Sequence, residues 1–356
     1  EEWVDSGQCR DCYMPAFNYR VKGSTQYAMA LSNFDEKAEN GKDPLRFRFG
    51  FIASSDNHAA QPGTGYKEIG RHKFTEAQGQ EGLFREQFLR KAIPKKEGDT
   101  AAQSVPYDIK SREFQYLQTA ETERAQSYFY TGGLVAVHSA GRDRNSIWNA
   151  MKRKEVYATS GDRMLLWFDL ITANQTFPMG SEVAYAGVPT FKVRAVGDFE
   201  QKPGCPEHSV SALGQEKLKQ MCSGECYNPS DTRKIIDRIE IIRIRPQNVR
   251  GEKIEDLIED PWRSFACNGD ARGCSVTFTD PDYPKQNREV IYYARAVGKT
   301  TPTINGNQLR CEKTDDKGQC LKVNPCHGDS RTPLNDDCAT PQAERAWSSP
   351  IFVQPR

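Results

Sequence analysis

From Met164 onward the apolar residues fall into short runs, and this limits most what the chain can fold into. The runs at 164–171, 190–196, 239–245, 275–279 and 290–297 are separated by Gly, Pro and Asn turns rather than by helices. Ile242 and Ile244 alternate with Arg243 and Arg245, the period of two that sends successive side chains to opposite faces of a sheet. Strands that follow one another through turns pair antiparallel, so residues 164–356 are expected to form an antiparallel β-sandwich. Two insertions interrupt it, at about 203–230 and 300–344, and the run 346–353 closes it.

Cysteines gather in the same half. Of the 11 in the chain, nine follow residue 200. Clustering in polar, loop-like sequence suits disulfides in an oxidising compartment, and insertions this long need such tethers. A zinc site would call for paired C-x-x-C knuckles, a spacing found only at Cys9 and Cys12. The odd count leaves at least one thiol free or bonded to another chain.

Residues 1–163 read differently. Ser24 can cap a helix in which Tyr27, Ala30, Leu31, Phe34 and Ala38 recur at helical spacing, closed by Gly41 and Pro44. A buried strand is expected next, in 46–53, then helices at 76–91 and 110–124 and an apolar run, 134–137, that ends at His138. Asp143 can cap another helix with Ile147, Trp148 and Met151 as its apolar face, and 156–160 reads as a strand. Alternation of strand and helix predicts an α/β layer or barrel for this part.

Chemistry concentrates in residues 46–58, RFRFGFIASSDNH, an apolar run that stops abruptly at polar residues. Asp56 and His58, two positions apart at a strand end, are candidate metal ligands; in a plain polar turn, Asp56 would instead cap the next element. In the loop beyond, Tyr66, Lys67, Arg71 and His72 can meet an anionic substrate or simply be solvated. Gly63 and Gly65 lack the spacing of a phosphate-binding loop, and Ser54 and Ser55 lack a nucleophile elbow. His138, also at a strand end, reads either as a metal or rim residue or as a histidine hydrogen-bonded to a neighbouring turn. Lys and Arg total 49 against 48 Asp and Glu with no basic stripe, which argues against nucleic acid as a partner. No apolar segment approaches the ~18 residues of a membrane span.

The segment FGFIASSDNH resembles the last metal motif of the PHP (polymerase and histidinol phosphatase) superfamily, in which a strand ending in Ser-Asp-x-His serves a metal cluster in a distorted (β/α)7 barrel. Together with PGTGYKE (62–68), NSIWNAMKRKEVYATSG (145–161) and ERAWSSPIF (344–352), it is similar to a PHP-like bacterial family of unknown function, DUF3604. The resemblance implies the C-terminal part of such a barrel over 1–163, followed by the sandwich. It implies an exported, periplasmic or secreted, metal-dependent phosphoesterase that uses clustered divalent ions (Zn, Mn or Fe) on a small phosphorylated substrate. Asp56 and His58 carry over as ligands. Arg144 lies near a position where the family commonly has arginine, at a helix start or facing the site, whereas His138 stands where the family tends to have tryptophan and inherits no role. PHP proteins open with His-x-His, yet no histidine precedes His58 here. The expectation is therefore that an N-terminal barrel half accompanies this chain as a cleaved or separate partner. The alternative is a non-catalytic exported binding or structural component with an incomplete metal site.

Overall fold

The period-two runs become strands, and most of these strands join two sheets. The computed structural model describes residues 24–39, 41, 43–54, 133–304, 311–317, 320–323 and 339–356. Its elements begin with α1 (Thr25–Ala30), β1 (Ser32–Lys37), β2 (Pro44–Arg46), β3 (Leu134–Val137), α2 (Arg144–Lys152) and β4 (Val156–Thr159). Next come β5 (Leu165–Ile171), β6 (Thr176–Pro178), β7 (Glu182–Ala184), β8 (Thr190–Val196), β9 (Phe199–Gln201), α3 (Glu207–Leu213), α4 (Gln215–Cys222) and β10 (Pro229–Arg233). The remainder are β11 (Ile236–Ile244), β12 (Ile258–Ala266), β13 (Cys274–Thr279), α5 (Tyr283–Gln286), β14 (Val290–Ile304), β15 (Cys311–Thr314), β16 (Cys320–Val323), β17 (Ala339–Ser348) and β18 (Ile351–Gln354).

An eight-stranded sheet runs β12-β11-β14-β17-β4-β3, with β18 joined to β14 and β7 joined to β18. A four-stranded sheet runs β13-β8-β5-β6. Pairing is antiparallel throughout except between β18 and β7. Between the sheets, Leu166, Phe168 and Leu170 of β5 and Phe191 and Val193 of β8 meet Ile239 and Ile241 of β11 and Tyr292, Ala294 and Ala296 of β14. Phe168 and Phe191 are fully buried and stack at 5.4 Å between ring centroids. Each such side chain contributes about 1.5–3 kcal/mol by leaving water.

The large sheet is covered on its other face too. There Ile242, Ile244, Ile291, Tyr293 and Phe352 pack against Met29 and Ala30 of α1 and against Phe49 and Phe51. This is why β11 is buried along nearly its whole length: Ile239 and Ile241 face the small sheet and Ile242 and Ile244 the N-terminal segment, while Ile236, before an irregularity in the ladder, also faces the small sheet. Its charges are neutralised inside, Glu240 by Arg238 and Arg295 and Arg243 by Glu259 and Asp280.

The expected barrel is overturned. Among the described residues the strands form antiparallel sheets and no (β/α)7 barrel. β3 and β4 pair antiparallel with each other, and β4 pairs with β17, so both extend the sandwich sheet. Strand–helix alternation could not tell a parallel crossover from an antiparallel excursion through α2, and the four buried residues of β4 fit a central strand in either arrangement.

Two local expectations change as well. The helix capped by Ser24 forms, with Ser24 Oγ accepting the Tyr27 N–H at 3.1 Å, but it ends at Ala30. Leu31 turns extended, and Gln247 captures the chain: its N–H donates to Ala30 O, and it accepts from both the N–H and the hydroxyl of Ser32. Tertiary hydrogen bonds override the helical spacing, and Ser32–Lys37 becomes a strand. Of residues 46–53, only Arg46 lies in a strand, the end of β2, and the rest form no regular secondary structure. Asp143 caps α2 as expected through the N–H groups of Asn145 and Ser146, yet Ala150 is its buried residue while Trp148 is 57 % exposed and Met151 38 % exposed.

In the first insertion, β9 and β10 pair across the base, and α3 and α4 lie between them. The second continues the β14–β17 ladder out to Ile304 opposite Ala339 and carries the β15–β16 hairpin. Disulfides join Cys205 to Cys226 and Cys267 to Cys274, bearing out the expectation of disulfide bonds. No helix among the described residues is long and apolar enough to cross a membrane.

Candidate functional site

The segment that leads to Asp56 and His58 is fixed to the large sheet residue by residue. Arg46 is locked by four donations: to Ser32 Oγ, Glu289 Oε2, Gln247 O and Asn248 Oδ1 at 2.9–3.2 Å. Arg48 bridges Glu182 and Glu289 at 2.8 Å each. Burial raises the Glu289 carboxyl above its ordinary range even with two guanidiniums beside it. Glu182 is held below its range, because Lys154 and Arg48 outweigh its partial burial.

Alternate residues carry the apolar contacts. Phe49 packs on Phe51, whose ring meets Tyr293 edge-on at 5.1 Å. The Phe51 N–H donates to Ser349 Oγ at 3.0 Å. Gly50 is required by close approach, since a Cβ there would sit 2.7 Å from Ser349 Oγ and 3.1 Å from Lys154 Cβ. Gly133, at the start of β3, does the same for the end of the segment: its Cβ would lie 2.8 Å from Ala53 Cβ and 3.0 Å from Ser54 O.

Asp56, His58, Tyr66, Lys67, Arg71 and His72 lie outside the described residues. His138 follows β3, and its Nε2 lies 2.8 Å from Leu166 O. A carbonyl can only accept, so Nε2 carries a proton and that nitrogen is engaged. The ring sits between Tyr157 and Trp167, at 5.4 and 5.9 Å. Arg144 is the first residue of α2 and exposed, a helix-start position.

Three features escape a reading of the sequence. A cleft of about 540 Å³ on the small sheet is lined by Trp167, Arg194, Phe199, Asp231, Arg233 and Arg272 among others. Arg194 lies 5.0 Å over Trp167 and Arg233 3.8 Å over Phe199, so aromatic faces hold the guanidiniums in place. No motif announces it, because its residues come from β5, β8, β9, β10 and the turn before β13. The second is a buried acid: Asp162 is 1 % exposed, with Lys234 Nζ on its two oxygens at 3.0 and 3.1 Å. Burial, then the charge of Glu344, pushes its carboxyl up to about 7 against the pull of Lys234. The third is a group of three sulfurs, Cys205, Cys222 and Cys226, the one set of three potential metal ligands lying together among the described residues. Its signal is present as C-x-x-x-C at a helix end. Two of its sulfurs are joined as a disulfide, so it is not a set of thiolates.

The described residues define an antiparallel β-sandwich with disulfides, the outer face of its large sheet covered by α1 and by residues of the segment 46–54. Residues 32–203 match the family model described as "Protein of unknown function (DUF3604)", so this part of the chain is similar to that family. No curated protein and no solved structure matches the chain.

Proposed function

We propose that the chain supplies Asp56 and His58 to a metal-dependent hydrolase site of phosphoesterase type, in a protein exported to the periplasm or secreted. The observation that carries this is the clamping of residues 46–51: Arg46, Arg48 and Phe51 are each held by hydrogen bonds, Gly133 passes close to Ala53, and Asp56 follows two residues after Ser54. Sequence anchored along the face that meets the protein, with Phe47 and Ile52 exposed on the other, suits delivery of ligands from a fixed point. A carboxylate and an imidazole are the donor types that Zn, Mn or Fe take. Two donors do not complete a site, so further ligands come from other residues. Asp56 acts as the hard anionic donor, and His58 donates through one ring nitrogen while an acceptor orients the other. When bound, divalent ions acidify water and offset charge on a phosphoryl group. The substrate class is a small phosphate mono- or diester. Export agrees with the two disulfides.

The test is hydrolysis of p-nitrophenyl phosphate and its diester by the purified protein, with Mn, Zn or Fe and with a chelator. Turnover that the chelator abolishes and that Asp56→Ala or His58→Ala lowers at least about tenfold supports the site. Turnover indifferent to both substitutions overturns it.

A second reading, a non-catalytic exported binding component, is favoured by the arginine–aromatic cleft on the small sheet. It predicts no turnover with any metal, together with anion binding that Arg194→Ala weakens.

A further inference from the structure

We propose that Cys222 is an exchange-active thiol that trades partners with the Cys205–Cys226 disulfide, making the first insertion a thiol–disulfide interchange site. Cys222 is a free, half-buried cysteine. Its Sγ lies 3.2 Å from Cys226 Sγ and 3.9 Å from Cys205 Sγ. A structural disulfide is ordinarily insulated from thiols by packing, whereas here a thiol touches one of its sulfurs.

The backbone builds this contact. α4 ends at Cys222, and Ser223 (φ 51°) and Gly224 (φ 79°) take left-handed conformations that stop the helix and turn the chain back. Cys226 thereby returns to the helix end beside Cys222. Cys205 arrives from the β9 side, where the Gly204 N–H donates to Glu225 Oε2 at 2.8 Å. The β9–β10 pairing closes the insertion at its base whichever cysteines are joined.

The step is balanced within the chain. In the structure Cys222 Sγ lies side-on to the disulfide; once its side chain turns into line with the Cys205–Cys226 bond, the Cys222 thiolate attacks Cys226 Sγ, a Cys222–Cys226 bond forms as the Cys205–Cys226 bond breaks, and the electron pair leaves on Cys205 Sγ. Cys205 takes up the proton that Cys222 gave up. No oxidant or reductant enters. The free thiol thus alternates between Cys222 and Cys205, and the second pairing unclips Cys205 from the end of α4. α3, which follows directly, buries no side chain, so little packing opposes its release.

The experiment alkylates the native, unreduced protein with N-ethylmaleimide, then digests it with trypsin and Glu-C. Lys217 and Lys219 separate Cys205 from Cys222, and Glu225 separates Cys222 from Cys226, so each cysteine falls on its own peptide. Label is expected on Cys222 in one population and on Cys205 in another, the latter accompanied by a Cys222–Cys226 crosslink. Its rate of appearance should rise about tenfold per pH unit while the protonated thiol predominates. Cys222→Ser should remove all label from the insertion and leave Cys205–Cys226 as the one pairing. Cys205→Ser, refolded in air, should yield the Cys222–Cys226 bond. Label confined to Cys222 over prolonged incubation at pH 8.5, or no label in the insertion at all, overturns the proposal.

Discussion

The Phe51 backbone N–H donates to the Ser349 hydroxyl at 3.0 Å, and that hydroxyl donates onward to Val156 O at 2.5 Å. One fully buried side chain thereby ties the N-terminal segment to β4 and to the β17–β18 turn.

Ser349→Ala should cost about 1–3 kcal/mol, because it strips the Phe51 N–H of its acceptor. Chemical denaturation measures the loss, and faster amide exchange at Phe51 locates it. If Asp56 and His58 depend on this anchor, the variant also binds metal more weakly. Unchanged exchange at Phe51 would mean that the segment is held elsewhere.

Asp162 gives a pH dependence whose sign is fixed. Its carboxyl ordinarily titrates near 3.8 and is raised to about 7 by burial and by Glu344. The folded state therefore holds a proton that the unfolded chain releases, and stability declines as pH rises from about 4 to about 7. Asp162→Asn should flatten that decline relative to the parent protein. Thermal midpoints measured across this range decide it; parallel curves for the two proteins would exclude Asp162 as the group responsible.

Arg243 is buried with two carboxylates, and Asp280 beneath it is 0 % exposed. Arg243→Met leaves Asp280 without a cation, facing only the neutral donors Tyr292 Oη at 2.7 Å and Asp282 N–H at 3.0 Å, and should cost about 3–5 kcal/mol. Adding Asp280→Ala should recover part of the loss, since the stranded charge then goes. A double variant no more stable than Arg243→Met alone would show that packing against Trp262, not charge, dominates.

The Cys267–Cys274 disulfide links the end of β12 in the large sheet to the start of β13 in the small one, seven residues apart. Loop-closure entropy puts its removal by paired alanines at about 2.5 kcal/mol. Urea unfolding reads this directly, and an unchanged midpoint would show the loop to be ordered by other contacts.

The sandwich was legible because its strands carry their own evidence: 190–196 coincides with β8, whereas 134–137, assigned to the barrel part, is β3 and extends the sandwich sheet instead. The same local reading failed where the outcome is decided by distant residues. Tyr27 to Ala38 has helical spacing, but Gln247, more than 200 positions away, ends α1 at Ala30. Residues 47–54 look like a buried strand because Phe49 and Phe51 pack on Tyr293, a role that needs no ladder. β12 went unseen because Asp260 and Pro261 interrupt its pattern, and the peptide between them is cis. Of the candidate site, Asp56 and His58 were visible through composition at the end of an apolar run. The anchors at Glu289 and Ser349 were not, since nothing local pairs them with Arg46 or Phe51.

The most direct test of the central claim is metal content. Protein purified natively without chelators should retain Zn, Mn or Fe by elemental mass spectrometry, and Asp56→Ala and His58→Ala should each lose it with the fold intact by circular dichroism. A wild-type protein that stays metal-free after incubation with all three ions, or variants that keep the parent's metal, would contradict a metal site at Asp56 and His58.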